Sequence, residues 1–355
     1  MSTPYRIVGA SCLAAFRPGH DYRPALDEIM GLGFNCVRVF AGPLPWCGQE
    51  RSHVYDGLPT FCDEARARSL HVYVSALTET GTGYDPPQHV SEIVARVQGR
   101  DNVLFEIANE PTHPTQKDLS PEYLAQIMHD RVPNSMTRGL GCADDDESIE
   151  YAAGDHVPIH LDRSRDHWNM VRRVREMLAI SETVGRPAFN QEPIGAGEAN
   201  IQGKRCADPA IFLTMAALNR LFNVGGIFHS EEGLFARPLG PTQRRCAEAY
   251  IRGSNVWPND ADRLQYLNVG HAGSPIVSGT FNNGDLSQPG CTRSYCGCIG
   301  PVGFNVTLGI SDMNRPGAEI GNGWRWTQEV ARDQGVIVRH VEYVGGRAHI
   351  VERTR

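Results

Sequence analysis

The chain has 355 residues, a formal net charge of -7, 41% hydrophobic and 21% charged residues, and a pI near 6.0. That balance describes a globular protein with a substantial core, and with no basic block it excludes a nucleic-acid footprint. No run approaches the roughly 18 apolar residues of a membrane span, so no membrane partner is expected. The first ten residues lack the charged-then-apolar pattern of a secretory leader, so the expected location is cytoplasmic, with non-classical export or carriage on a phage particle left open.

Eight apolar strand candidates alternate with helical patterns through about residue 252. The strands are expected at 6–13, 35–40, 71–77, 103–108, 135–140, 156–161, 187–191 and 224–229. The helices are expected at 21–32, 57–69, 87–97, 120–129, 166–184, 209–221 and 241–252, with a weakly helical acidic crossover near 144–153. Strands alternating with helices read as right-handed βαβ units around a parallel sheet, and eight of them match a closed (β/α)₈ (TIM) barrel. A doubly wound open sheet competes, but no Gly-x-Gly-x-x-Gly turn follows the first strand.

After Trp257-Pro258 the character changes to short runs between Gly, Asn and Pro turns, at 275–280, 304–309, 336–344 and 347–352. The last two, joined by Gly345-Gly346, carry a hairpin signal. The expected organisation is therefore a barrel over 1–255 and a small β-rich appendage over 256–355 packed on it.

Ten cysteines are present. Cys12 and Cys36 lie inside apolar runs and read as buried thiols. Cys291, Cys296 and Cys298 form a compact cluster in a Gly-rich loop. Zinc would need a fourth ligand, for which His271 is a candidate, and the CxxC spacing of structural zinc sites is missing, so free or bridged thiols are the simpler reading.

The most informative stretch is Val103-Leu104-Phe105-Glu106-Ile107-Ala108-Asn109-Glu110-Pro111, an apolar strand that stops at Asn-Glu-Pro. Pro111 cannot continue the strand and biases Glu110 toward an extended backbone. A carboxylate is thus placed at the carboxyl end of a barrel strand, where catalytic residues sit. Glu192 repeats the arrangement in Phe189-Asn190-Gln191-Glu192-Pro193. Glu110 ends strand four and Glu192 ends strand seven, so both would face the bowl at the top of the barrel. Two facing carboxylates suit glycoside hydrolysis.

Asn109-Glu110-Pro111 on strand four with a glutamate on strand seven resembles the retaining glycoside hydrolases of the clan built on (β/α)₈ barrels, the cellulase-like and mannanase-like members in particular. The resemblance implies Glu110 as acid/base, Glu192 as nucleophile and Asn109 as a hydrogen-bond partner of the sugar 2-hydroxyl, acting on an oligo- or polysaccharide with no cofactor. Arg38, at the end of strand two, matches the arginine that holds the nucleophile in that clan. Its other reading is an exterior arginine between barrel and helices. His160 ends strand six, where the clan has an aromatic or histidine that bonds the nucleophile or the sugar.

The pattern departs on strand eight, where a tryptophan usually forms the sugar platform and this chain has His229-Ser230-Glu231-Glu232. Glu231 or Glu232 would replace Glu192 if the strand count were off by one. His229 is expected to line the pocket. Trp46 is the leading candidate for stacking on a sugar ring, ahead of Phe16, Tyr84, Trp168 and Phe235. His160, His229 and a glutamate could form a metal site, but the His-x-His pair expected on strand one is absent, so no metal is expected. A non-catalytic carbohydrate-binding or virion/surface protein on the same scaffold is the alternative function.

Overall fold

A computed structural model of the chain describes residues 7–117, 119–141, 151–160, 180–181, 183–198, 205–221, 224–255, 303–305, 324–332, 335–344 and 347–354. Outside these lie most of the expected helix at 166–184, the crossover at 144–150, the strand at 275–280, Trp168, His271 and the cysteines 142, 291, 296 and 298.

The barrel strands are β1 (Val8–Ser11), β2 (Cys36–Phe40), β3 (His71–Leu77), β4 (Val103–Ala108), β5 (Thr137–Gly139), β6 (Val157–Ile159), β7 (Ala188–Asn190) and, after the two-residue strands β8 (Gly195–Ala196) and β9 (Arg205–Cys206), β10 (Gly225–Phe228). They form one eight-stranded sheet in the order β5-β4-β3-β2-β1-β10-β7-β6, with every pair parallel. This is the (β/α)₈ barrel expected from the alternation of elements. Among the described residues the ladder is not closed between β5 and β6. An isolated bridge, Gly139 to Gly154, spans that junction instead. Any Cβ at Gly139 would meet the His156 ring at 2.7 Å, so the ring packs directly on the β5 backbone.

Helices α1 (Arg23–Leu32), α2 (Arg51–Ala67), α3 (Pro86–Val97) and α4 (Pro121–Arg131) follow the first four strands. Helix α2 begins six residues before its expected start at 57, with Pro59 inside it. Proline there removes a donor to the Tyr55 carbonyl, and Arg96 Nε supplies the bond at 2.9 Å. Gly57 is needed for packing, since a Cβ would lie 2.8 Å from the Phe16 ring. Further on come α5 (Pro209–Leu221), the single-turn α6 (Glu231–Leu234) and α7 (Pro241–Asn255).

Strand parity decides what fills the barrel. Ile7, Cys36, Tyr73, Leu104, Phe189 and Ile227 form one buried apolar layer. Two residues further along the strands, the inward positions are Arg38, Ser75 and Glu106, all with no exposed surface. A polar layer thus sits on an apolar floor. Cys12 and Cys36 are buried thiols, and burial alone pushes Cys12 up to about 12.

The chain divides into two compact units, one comprising Met1–Arg163, Glu176–Ala207 and Val224–Arg245, the other Ser164–Arg175, Asp208–Asn223 and Cys246–Arg355. The second contains an antiparallel four-stranded sheet, β11 (Gly303–Asn305), β12 (Trp324–Arg332), β13 (Gly335–Val344) and β14 (Arg347–Thr354), in sequential order. Val344 faces Arg347 across the β13–β14 hairpin. Strand β12 was not expected, although Trp324 and Trp326 alternate there with Arg325 and Thr327.

Candidate active site

Strand β4 stays in the sheet through Asn109, whose N–H donates to the Leu77 carbonyl at 3.0 Å. The next residue departs from expectation. Glu110 has a φ of +41°, left-handed rather than extended, a conformation that costs a non-glycine residue on the order of 1–3 kcal/mol. Local bias from Pro111 is overridden by a turn in which His113 N–H donates to the Glu110 carbonyl at 2.9 Å. Gln116 braces that turn. Its Nε2 donates to the Asn109 carbonyl at 2.5 Å and the Leu77 carbonyl at 3.3 Å, while its Oε1 accepts from Thr80 N–H at 3.1 Å.

Glu192 follows β7, with Gln191 N–H still bonded to the Ile159 carbonyl at 3.0 Å. Its side chain meets Arg38, which lies inside the barrel and not on its exterior. Arg38 Nη1 donates to Glu192 Oε2 at 3.1 Å, Nη2 to Asn109 Oδ1 at 2.6 Å and Nε to Ser75 Oγ at 3.2 Å. A second carboxylate, Glu106, pairs with Nη2 at 3.3 Å and accepts from Ser75 Oγ. Burial works against the charge on Arg38, but Glu106 and Glu192 outweigh it and raise the guanidinium's hold on its proton. Asn109 Oδ1 is engaged by Arg38, so its amide N–H₂ is the end suited to donate to a ligand.

His160 was expected to bond the nucleophile or the sugar. Its Nδ1 instead lies 3.0 Å from Glu110 Oε1, and Nε2 lies 3.2 Å from Gln191 Oε1. The ring thereby bridges Glu110 and Gln191. Burial pulls its proton affinity down, yet the bond to Glu110 and the charges of Glu110 and Glu192 prevail and raise it. Ligand atoms of Glu110, His160 and Glu192 all lie within 4.8 Å of one another. A cation could be shared among them, but Arg38 already holds Glu192 and adds positive charge beside it.

These residues open into a cleft of about 310 Å³. Asn109, Glu110 and Glu192 line it, as do Trp46 and His229. One wall is apolar, from Leu13, Phe40, Leu44 and Leu234. Trp46 is 47% exposed and rests edge-on against Phe235, with ring centroids 5.6 Å apart. His229 Nδ1 is 2.9 Å from Ser11 Oγ. Phe16 and Tyr84 are buried and do not line the cleft.

Where strand eight was expected to offer rival carboxylates, Ser230 caps the one-turn helix α6 with its hydroxyl. Glu231 lines the cleft but is paired with Arg205 at 2.9 Å. Glu232 turns to Arg237 at 2.7 Å. The strand count is not off by one: Glu192 lies two residues after the end of β7, the seventh barrel strand.

Several site residues went unnoticed in the sequence. Glu106 shares strand parity with Leu104 and precedes Glu110 by four, which was the available signal. His113 also lines the cleft, with Nδ1 accepting from Thr115 N–H at 3.3 Å, which leaves the proton on Nε2. Neither Gln116 nor the Arg205–Glu231 pair has a local signature.

No protein-family model matches the chain, and no curated protein matches it. Solved structures share its fold. GH5_18 from Streptomyces cattleya, in complex with GlcNAc, is 15% identical with a TM-score of 0.54, over 72% of this chain and 82% of that one. The beta-mannanase from Streptomyces thermolilacinus, with mannohexaose, is 17% identical with a TM-score of 0.51, over 72% and 92%. The hyperthermostable endo-1,4-beta-D-mannanase from Thermotoga petrophila RKU-1 is 10% identical with a TM-score of 0.51, over 70% and 99%. The chain therefore has the barrel fold of glycoside hydrolases.

Proposed function

We propose that the chain is a retaining glycosidase acting on an oligo- or polysaccharide, with Glu110 as acid/base and Glu192 as nucleophile. The observation that carries this reading is the approach of the two carboxylates to within 4.8 Å in one cleft. Retention needs carboxyl groups about 5–5.5 Å apart, whereas inversion needs roughly 6.5–9.5 Å to seat a water. Glu192 faces a guanidinium, which favours its anion, and Glu110 shares a hydrogen bond with His160.

In the first step Glu110 gives its proton to the glycosidic oxygen as the bond from that oxygen to the anomeric carbon breaks. Glu192 attacks the same carbon from the opposite face and forms a glycosyl ester. In the second step Glu110, now a carboxylate, takes a proton from water as the water oxygen displaces Glu192. Two inversions restore the original configuration. Asn109 donates to the sugar hydroxyl nearest the anomeric carbon, and Trp46 offers a ring face to the chain.

The test is a screen of aryl glycosides and polysaccharides with the wild type, Glu110→Gln and Glu192→Ala. Each substitution lowers turnover by about 10²–10⁴-fold or more while sugar binding persists, and proton NMR of the first product shows the configuration retained. Wild-type protein that binds sugars without cleaving any would replace this reading with a non-catalytic carbohydrate-binding protein.

A further inference from the structure

We infer that Phe235, in the loop after β10, is a positioning residue for glycan binding: clamped by Arg17 and Arg237, it holds Trp46 with one ring face open to the sugar. The identity of the ligand as a glycan rests on the glycosidase reading.

Trp46 needs such a support. It sits on the single 3₁₀ turn Pro45–Cys47, between exposed Pro45 and Gly48 on one side and Cys47 on the other, and is itself 47% exposed. A side chain this open samples several rotamers, and freezing them on binding costs affinity. Phe235 meets the indole with ring centroids 5.6 Å apart and planes at 82°, an edge-to-face contact.

Phe235 is in turn held by two cations. Arg17 Cζ lies 5.4 Å from its ring centroid and Arg237 Cζ 4.7 Å. Guanidinium groups over the phenyl ring leave its edge for Trp46, and an aromatic edge seeks the electron-rich face of a neighbour. The opposite indole face is left for a ligand. Each cation is anchored. Arg17 Nη2 donates to the Phe235 carbonyl at 2.5 Å and to His20 Nδ1 at 3.1 Å, and its Nε donates to the Ala14 carbonyl at 3.1 Å. His20 Nε2 donates onward to the Ala236 carbonyl at 2.8 Å. A guanidinium only donates and a carbonyl only accepts, so the imidazole has one orientation here. Glu232 holds Arg237 at 2.7 Å. Buried Ala236, left-handed at a φ of +52°, makes the turn between the ring and Arg237. Behind them Leu13 and Ala14 N–H donate to the Gly233 and Leu234 carbonyls at 2.8 and 3.1 Å, joining the loops after β1 and β10. The segment after strand eight, which has no tryptophan of its own, thus supplies the support of one from the loop after β2.

The test is calorimetric titration of the full chain, carrying Glu110→Gln to stop turnover, with β-1,4-mannohexaose and β-1,4-glucohexaose. On the one bound more tightly, Phe235→Leu is expected to raise Kd about fivefold, and Phe235→Tyr to keep it within about twofold. In a Trp46→Ala background, itself weaker in binding, Phe235→Leu should add less than about twofold, which a merely structural role would not produce. Arg237→Gln, on an exposed side chain, repeats the test without disturbing the packing: a rise of about threefold that also vanishes beside Trp46→Ala. Binding of neither hexasaccharide, an unchanged Kd in Trp46→Ala or in Phe235→Leu, or an equal rise with and without Trp46 overturns the inference. Should the chain with Glu110 restored cleave nothing while this pattern of Kd values holds, the glycosidase reading falls and the clamp stands. Should it cleave a hexasaccharide, the loss in Phe235→Leu is expected in KM, and a loss confined to kcat overturns the inference.

Discussion

Arg38 reaches from β2 across the barrel to Glu192 beyond β7, Nη1 to Oε2 at 3.1 Å, and does so with no exposed surface of its own. A buried guanidinium is tolerated only where acceptors surround it, and here Glu192, Glu106, Asn109 and Ser75 do so. The residue thereby fixes both the orientation and the ionisation of the carboxylate proposed to attack. Lysine would keep the charge but lose the planar fork that reaches two strands at once. Arg38→Lys is expected to lower kcat by about 10²-fold with a smaller change in KM, because Glu192 is displaced by a fraction of an ångström from its line of attack. Stopped-assay kinetics on any hydrolysed substrate check this, and an unchanged kcat would count against Arg38 as the group that positions Glu192.

Glu106 illustrates what a buried charge needs. It touches Arg38 and Ser75 from beneath, and its other oxygen, Oε1, has no hydrogen-bond partner among the described residues. Glu106→Ala leaves Arg38 with one carboxylate and opens a void, so unfolding free energy should fall by about 3–5 kcal/mol. Urea denaturation at pH 7 measures it. Glu106→Gln keeps the volume and should recover part of that loss while still reducing kcat, since Arg38 then leans more strongly on Glu192.

How much of this was legible beforehand depends on the range of the contacts. β3 and β4 fall where the apolar runs place them, at 71–77 and 103–108, because buried parallel strands are written in local β-branched and aromatic residues. β5, β6 and β7 shrink to three residues each, although single backbone bonds, Gln191 N–H to the Ile159 carbonyl and Ala108 N–H to the Leu140 carbonyl, continue past their ends. Glu110 and Glu192 were legible as strand ends. The left-handed turn at Glu110 was not, because Gln116 and His113 impose it from outside the window in which Pro111 biases the backbone. Arg205 and Glu231 are 26 positions apart in sequence and meet where β9 pairs with β8 and Ala196 of β8 bridges to Ser230.

Two buried histidines set the acid limit of stability. Burial pushes His156 down to about 3, beneath its bond to Tyr73. Burial likewise takes His89 down to about 4, although the Ala41 and Ala76 carbonyls that accept from it work the other way. Both rings are neutral when folded and bind a proton near pH 6.5 when unfolded. Their contribution is therefore complete above about pH 6.5 and is lost as pH falls toward the folded values. At pH 5 each subtracts about 2 kcal/mol. His160 has the opposite sign: its raised value makes its contribution complete below pH 6.5 and lost as pH rises through it. Urea midpoints from pH 4.5 to 9 should trace a dome, and a His89→Gln variant should flatten only the acid side. A midpoint that does not move between pH 7 and pH 5 contradicts the burial of both rings as neutral species.

Gln116 is the residue through which the strained turn can be probed without touching the carboxylates. One amide joins the end of β3, the loop after it and the Asn109 carbonyl. Without that brace Glu110 is released toward the extended backbone that Pro111 favours, and its carboxyl leaves His160. Gln116→Ala should cost about 1–2 kcal/mol of stability, as expected for buried backbone groups left unpaired. A purely structural role would end there. If the turn aims Glu110, kcat should also fall by about tenfold with KM nearly unchanged, and the loss should be larger for substrates whose leaving group needs protonation than for those with an acidic phenol. Gln116→Glu can still accept from Thr80 but cannot donate to Asn109, and should behave like the alanine variant in kcat while recovering part of the stability. Equal effects on both leaving groups would confine Gln116 to holding the loop.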